Sequence, residues 1–262
     1  MKGQDLFSNL PEGCISHILS LTSPPDVCRS SAVSSIFLSA SESDIIWERF
    51  LPSGLPDILN RSVSPIHFSS KKDLFFRLLD PILIDEGKMS FSIERKTGSK
   101  CYMLSPRELW IAWGGTPRYW KWISLPQSRF SEVAELLNVC WLEISGKIDA
   151  HILSPKTTYK AYLVFKIGER AYRLGYPHAV ASVKLGGHES NNIVFLQQKL
   201  SSGADGQVPQ ERSDGWMEIE MGSFFNDEGE EGDVEMNFKH VMGGLWKRGL
   251  IVEGIEIRPV CN

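Results

Sequence analysis

The chain lacks an excess of positive charge, paired cysteines, metal-ligand spacing and any long apolar run, and each absence removes a class of function. Its 262 residues carry 28 Lys and Arg against 32 Asp and Glu, a formal net charge of -4, so there is no basic face of the kind that nucleic acid requires. No apolar stretch is long enough to span a bilayer. The opening MKGQDLFSNLPEG carries acids and no apolar segment of the secretory type, so the expected location is cytoplasmic or nuclear, not secreted. The five cysteines (Cys14, Cys28, Cys101, Cys140 and Cys261) are odd in number, scattered and never arranged as CxxC; they read as reduced thiols serving as small apolar residues. The six histidines never fall at HxH or HExxH spacing, so neither a metal nor a cofactor is expected. No Gly-rich phosphate loop follows a strand, and Gly186-Gly187 and Gly243-Gly244 read as hairpin turns. Asp227, Glu228, Glu230, Glu231 and Asp233 crowd a glycine-bearing loop whose spacing is wrong for an EF-hand. Glu218 and Glu220 share one strand face and read as outward charges. With no paired carboxylates and no activated nucleophile, the expectation is a non-catalytic protein.

What is present in quantity is tryptophan. Four of the eight fall within Cys101 to Ile123, CYMLSPRELWIAWGGTPRYWKWI, as Trp110, Trp113, Trp120 and Trp122. Leu109 to Trp113 and Tyr119 to Ile123 read as strands, with Gly114, Gly115 and Pro117 marking the turn between them. Indole is a large flat apolar plate with one N–H donor, suited to stacking on a flat object of mixed polarity such as a sugar ring. The plainer alternative puts all four rings in the core, but Arg118, Tyr119, Trp120, Lys121 and Trp122 alternate rings with cations and cannot all face inward on one strand.

From Leu6 to Pro52 the pattern is helical. Pro11 opens a helix carrying Ile15, Ile18 and Leu19, and Pro24-Pro25 ends it. Asp26 starts a second helix, Ser34 or Ser35 caps a third, and Asp44 caps a fourth that carries Trp47, Phe50 and Leu51. Helices this short are marginal alone, and some fifty residues bury too little surface for comfortable stability, so a partner protein is the natural source of further burial. Leu10-Pro11 with a following acid, the pair Ile18-Leu19, Pro25-Asp26, Val33-Ser34 and the closing Trp47 resemble an F-box, the helical motif that docks onto the Skp-family linker of a cullin-based (SCF) ubiquitin ligase. The resemblance implies that Leu10, Pro11, Ile15, Ile18, Leu19, Pro25, Val33 and Trp47 form or support the surface that binds the linker.

Pro52 to Pro65 is rich in Pro, Ser and Gly and reads as a connection. A helix from Lys71 to Leu79 follows, capped by Ser69 or Ser70 and stopped by Asp80-Pro81. From Ile82 onward the period changes from 3.6 to 2: Met89 to Ile93, Cys101 to Leu104, Val139 to Ile144, Tyr159 to Ile167, Val180 to Leu185, Ile193 to Gln197, Trp216 to Met221, Val234 to Phe238 and Leu250 to Ile257 are candidate strands. Such spacing predicts an antiparallel sandwich or barrel. Ser105 and Glu108 could form a capping box on one helical turn.

The tryptophan segment, NVCWLEISGKIDAHILSPKTTYKAYLVFKI, RSDGWMEIEMGSFFN and GLIVEGIEIRPV together resemble the phloem-protein-2, or Nictaba-type lectin, family of plants. The resemblance implies a jelly-roll-like sandwich that binds N-acetylglucosamine oligomers or N-glycan cores, with a carbohydrate site whose two tryptophans fall on Trp113 and Trp120. Trp110 and Trp122 are then assigned to the core. Where the tobacco lectin has a lysine-rich nuclear signal, this chain has Gln197-Gln198-Lys199-Leu200. The expected architecture is multidomain α+β: a small all-α F-box over 1–51, a linker with one helix over 52–81, and an all-β antiparallel sandwich over 82–262. The two resemblances together imply an adaptor that joins a Skp-family linker, and through it a cullin, to a glycoprotein target. In the rival reading the F-box is kept and the sandwich binds an unmodified protein surface.

Overall fold

A computed structural model describes residues 10–197, 206–227 and 232–260. Glu228, Glu230 and Glu231 of the acidic run, Gln198-Lys199-Leu200 and Cys261 lie outside the described residues. The helical part comprises α1 (Glu12–Ser20), α2 (Pro24–Ser30), α3 (Ser35–Ser41), α4 (Asp44–Phe50), α5 (Leu55–Asn60) and α6 (Lys71–Arg77). Caps fix three of the six starts: the side chains of Ser23, Ser34 and Ser70 accept from the backbone N–H groups of Asp26, Phe37 and Asp73, relieving orphan donors of the first turn. Asp44 departs from expectation. It is the first residue of α4, and its carboxylate instead accepts the Lys71 N–H at 2.8 Å, so it ties α4 to the start of α6. Trp47 is fully buried at the centre of this part. Its indole N–H donates to the Ser41 carbonyl at 2.7 Å, and its ring lies 5.2 Å from Phe75 and 5.9 Å from Phe50.

The strands are β1 (Ile82–Ile84), β2 (Met89–Ile93), β3 (Lys100–Leu104), β4 (Trp110–Ile111), β5 (Trp120–Ile123), β6 (Val133–Leu136), β7 (Leu142–Asp149), β8 (Thr157–Tyr172), β9 (Ala179–Leu185), β10 (His188–Val194), β11 (Gln210–Glu211), β12 (Met217–Asn226), β13 (Asp233–His240) and β14 (Arg248–Pro259). They form two antiparallel sheets. One runs β1-β2-β3-β14-β8-β12-β11, with β6 also on β14 and β5 on β6; the other runs β10-β9-β13-β7-β4. Alternate residues of both sheets meet in a shared core: Leu142, Ile144 and Ile148 of β7, Val234, Met236 and Phe238 of β13, Leu163 and Phe165 of β8, and Val252, Ile255 and Ile257 of β14, as a period of two demands of a sandwich.

Three local expectations change. Ser105 to Glu108 is a hydrogen-bonded turn, with Glu108 N–H on the Ser105 carbonyl at 3.0 Å, and not a helical turn. The connection after Pro52 holds α5, and it is knitted to the sheet through Val63 N–H on the Leu83 carbonyl at 2.9 Å and an Arg61–Asp85 ion pair with Nε at 2.7 Å. Glu218 is not an outward charge. It is pinned by Arg258 and by Arg212, whose Nη1 lies 2.8 Å from its carboxylate. Glu256, on β14 across the intervening β8, is held below the usual carboxylate range by Arg212 and Arg129 although burial opposes this.

Candidate functional site

The geometry of the tryptophan segment follows from two short strands and the loop between them. β4 is a two-residue edge strand, so Ile111 turns inward while Trp110 faces out, 58% exposed. The chain then reverses with Gly114 N–H on the Ile111 carbonyl and Thr116 N–H on the Trp113 carbonyl, at 2.9 and 2.8 Å. Trp113 sits at the apex with φ 62, a left-handed backbone that is rare for a bulky residue and, where seen, is concentrated at functional sites. This conformation throws the ring outward, 60% exposed. β5 then carries Trp120 and Trp122 on the same face of the strand, as a separation of two residues requires.

The expectation for Trp120 is therefore corrected. Its ring is 2% exposed and its N–H donates to the Ala112 carbonyl at 3.0 Å, so it supports the loop from below and offers no face to a ligand. Trp110, assigned to the core, lies on the surface because nothing pairs beyond the edge strand β4. Trp122 is half-buried beneath the Arg107 guanidinium, 3.6 Å from its ring centre, and donates to the Gly114 carbonyl. Of the two tryptophans that the lectin resemblance marks, Trp113 alone is open.

Trp113 does not stand alone. With Tyr119, Val139, Cys140, Trp141 and Trp246 it lines a cleft of about 300 Å³, at the lower end of the size range of small-ligand pockets and with the mostly apolar wall typical of them. Trp113 and Tyr119 rings are 6.2 Å apart, and Tyr119 and Trp246 rings 6.5 Å apart. Trp141 is half exposed, with its N–H on Glu143 at 2.8 Å. That carboxylate also faces Lys239, 3.1 Å away. Val139 and Lys247 exchange both backbone hydrogen bonds, and the buried Lys247 ammonium donates to the carbonyls of Cys140 and Leu245 at 2.9 and 2.8 Å. Lys247 thus clasps from beneath the two segments that carry Trp141 and Trp246. Burial lowers its pKa, and burial together with the Lys247 charge lowers that of the neighbouring His240 to about 4. Tyr119, Trp141 and Trp246 are not assigned to the site by the sequence argument above. The available signal was alternation: Trp141 precedes the inward Leu142, and Trp246 and Arg248 flank the inward Lys247.

The helical part presents a second surface. Ile15, Leu19 and Trp47 are buried and support it. Leu10 (38% exposed), Ile18 (50%) and Val33 (71%) are open, together with Leu21, Leu38 and Ile45; Pro11 is exposed and Pro25 half-buried. So many large apolar side chains left open on a unit this small mark an interaction face. Among the described residues no group of three or more His, Cys, Asp or Glu could hold a metal ion.

A helical unit with an open apolar face, joined to an antiparallel sandwich with an aromatic cleft, defines a two-part α+β protein. Comparison with known proteins matches each part to a family. The phloem protein 2 family profile matches residues 99–259, and the F-box domain profile matches residues 7–49. F-box protein At2g02240 of Arabidopsis thaliana is 46% identical over 264 residues, covering 98% of this chain and 81% of that protein. F-box protein PP2-B10 of the same plant is 44% identical over 258 residues, covering 97% and 94%. The chain belongs to the phloem protein 2 family and carries an F-box. Among solved structures, a family 35 carbohydrate binding module from Clostridium thermocellum is similar at 9% identity over 61% of this chain and 98% of that one, with a TM-score of 0.33.

Proposed function

We propose that the protein is a non-catalytic substrate-recognition adaptor of an SCF ubiquitin ligase, acting in the cytoplasm or nucleus, whose sandwich reads N-acetylglucosamine-containing glycans on its targets. The observation that carries the sugar half is the cleft, in which one tyrosine and three tryptophans, all three indoles at least 45% exposed, leave flat faces open for pyranose rings. The open apolar face of the F-box helices supports docking onto a Skp-family linker and so onto a cullin. The mechanism is proximity: a target held by the cleft is raised in effective concentration near the transfer site. A single cleft of this size fits an affinity in the micromolar to millimolar range, about -4 to -8 kcal/mol, so a glycoprotein target adds contacts of its own.

The test is titration of the full chain with N-acetylglucosamine oligomers and an N-glycan core, followed by tryptophan fluorescence, beside a Trp246→Ala variant. Saturable binding lost in a folded variant is the expected result. A folded chain that binds neither sugar but captures an unmodified protein through the same tryptophans would replace this reading with the protein-surface one.

A further inference from the structure

The aromatic cleft does not end at Trp246. Trp246 and Arg248 are exposed on either side of the inward Lys247, so they share one face of an extended segment, about 7 Å apart along the chain. Arg248 in turn stands directly opposite Tyr172 in the β14–β8 ladder, which puts the two side chains on that same face. Tyr172 is 48% exposed and carries two guanidinium groups, with the Arg173 carbon 4.9 Å and the Arg248 carbon 5.9 Å from its ring centre. Arg173 reaches it from a left-handed backbone, φ 55, an uncommon conformation for a long side chain. At the opposite end Arg118 lies 5.9 Å from the Tyr119 ring. In a chain whose net charge is -4, these arginines have no carboxylate partner among the described residues. Glu143, which accepts from the Trp141 N–H at the cleft wall, is already matched by Lys239. Glu169 and Arg170, exposed at the same end of β8, offset one another in charge.

We propose that cleft and arginines form one continuous shelf, Trp113–Tyr119–Trp246–Arg248–Tyr172–Arg173, and that its second half takes an anionic substituent on the glycan seated in the first. The ligand class is an acidic sugar oligomer, with rings stacked on the aromatics and a carboxylate or sulfate set between Arg173 and Arg248. The arginines are held in place by Tyr172, so they lose little freedom when an anion docks, and their forked donors suit a two-oxygen acceptor. This inference rests on the reading of the cleft as a sugar site.

The experiment compares matched pairs on the full chain: trigalacturonate against its methyl ester, and a 6-O-sulfated N-acetylglucosamine oligomer against the unsulfated one, each in the parent and in an Arg173→Gln, Arg248→Gln double variant. Both arginines are exposed, so the variant keeps its fold, checked by an unchanged melting temperature. The expected result is that one charged sugar binds roughly tenfold more tightly than its uncharged match at low salt, that the advantage shrinks with added salt, and that the variant loses it while holding the uncharged match within roughly twofold. Which pair shows the preference assigns carboxylate or sulfate. Equal binding within both pairs would overturn the acidic extension and leave the neutral cleft intact, whereas a folded chain that binds none of the four sugars would remove the cleft reading and this inference with it. An acidic peptide that binds as tightly as the charged sugar, with the same arginine dependence, would overturn the glycan class.

Discussion

Trp113 and Trp120 are seven residues apart and obey opposite economics. A left-handed backbone at a bulky residue costs about 1–3 kcal/mol, and at Trp113 a 60% exposed ring recovers little of that through burial. Trp113→Gly relieves the strain at the expense of a more flexible unfolded chain, so stability should stay level or rise by up to about 1 kcal/mol. Binding of N-acetylglucosamine oligomers should fall in the same variant. Urea unfolding read beside a fluorescence titration checks both; a loss of stability well beyond 1 kcal/mol would show that the ring holds the loop together. Trp120→Ala should behave in the reverse way, costing about 3–5 kcal/mol as a buried aromatic is removed and the Ala112 carbonyl loses its donor, so it cannot serve as a clean binding control. The density of tryptophan was legible in the sequence, but the sorting of the rings was not. Assigning Trp120 to ligand and Trp122 to core asked two residues on one strand face to point in opposite directions. Trp141 and Trp246 were hidden for a different reason: the cleft brings together segments more than a hundred residues apart, and no local pattern records that contact.

At the scale of elements, the F-box helices separate support from surface. Ile15, Leu19 and Trp47 face inward, while Leu10, Ile18 and Val33 face out. Ile18→Asp with Val33→Asp should abolish co-purification with a Skp-family linker at an unchanged melting temperature, because exposed positions tolerate charge. Trp47→Ala should lower the stability of the helical part by about 3–5 kcal/mol, and its loss of capture would be a folding effect. The starts of α3 and α6 were legible because serine caps mark them, whereas α2 takes Pro24 and Pro25 into its own first turn behind Ser23 instead of starting at Asp26, and α1 ends earlier, at Ser20. The short α5 was not, since Pro52 to Pro65 has the composition of a loop. Most strands were legible through their alternation, but β10, HESNNIV, is an edge strand with a polar outer face, and the period-two signal fails there. The floor of the cleft, where β13 ends and β14 begins, adds a pH dependence. His240 is kept neutral by burial and by Lys247, its pKa about 4 against 6.5 when unfolded. A histidine with a depressed folded pKa contributes stability that is present above the unfolded value and is lost as pH falls toward the folded one. Between about pH 6.5 and 4 the sandwich should therefore weaken by up to about 1.4 kcal/mol per pH unit. Buried Glu253, whose pKa is raised by desolvation, acts with the opposite sign. The difference between the parent and His240→Leu across that range isolates the histidine, and parallel curves would remove it from the account.

Over the whole molecule the helical part and the sandwich share one core, which runs from Ile15 and Trp47 through Leu74, Phe75 and Leu78 to Ile84, Phe91 and Ile93. Ile93 N–H donates to the Leu78 carbonyl at 2.9 Å, so β2 is hydrogen-bonded directly to the chain leaving α6. The composition of Pro52 to Pro65 reads as a spacer; the apolar stripe Leu74, Phe75, Leu78 and Leu79 marks α6 as packing against one part, but not that it joins both parts into one core. The tightest point is Gly98, in the turn between β2 and β3. Its φ is 73, and a Cβ there would lie 1.9 Å from the Phe50 carbonyl oxygen at the end of α4 and 3.6 Å from the Phe75 ring. The turn can approach the helix only because it has no side chain. Gly98→Ala combines a left-handed backbone with a backbone clash that no rotamer relieves, so the turn must lift from α4 and the shared core must open along that seam. In the parent, helical circular dichroism and tryptophan fluorescence should melt together as one cooperative unit. In the variant the helical signal should melt first, and protease should cut between α5 and α6 at a temperature where the sandwich keeps the sugar binding proposed above, since the cleft is built by the β4–β5 loop and the segments before β7 and β14 and shares no residue with this contact. Coincident melting in the variant would mean that the seam carries no cooperativity. A separated transition would instead show that a single hydrogen at position 98 lets the helices and the sheets move as one body, which, on the function proposed above, would hold a target at a fixed place relative to the ligase.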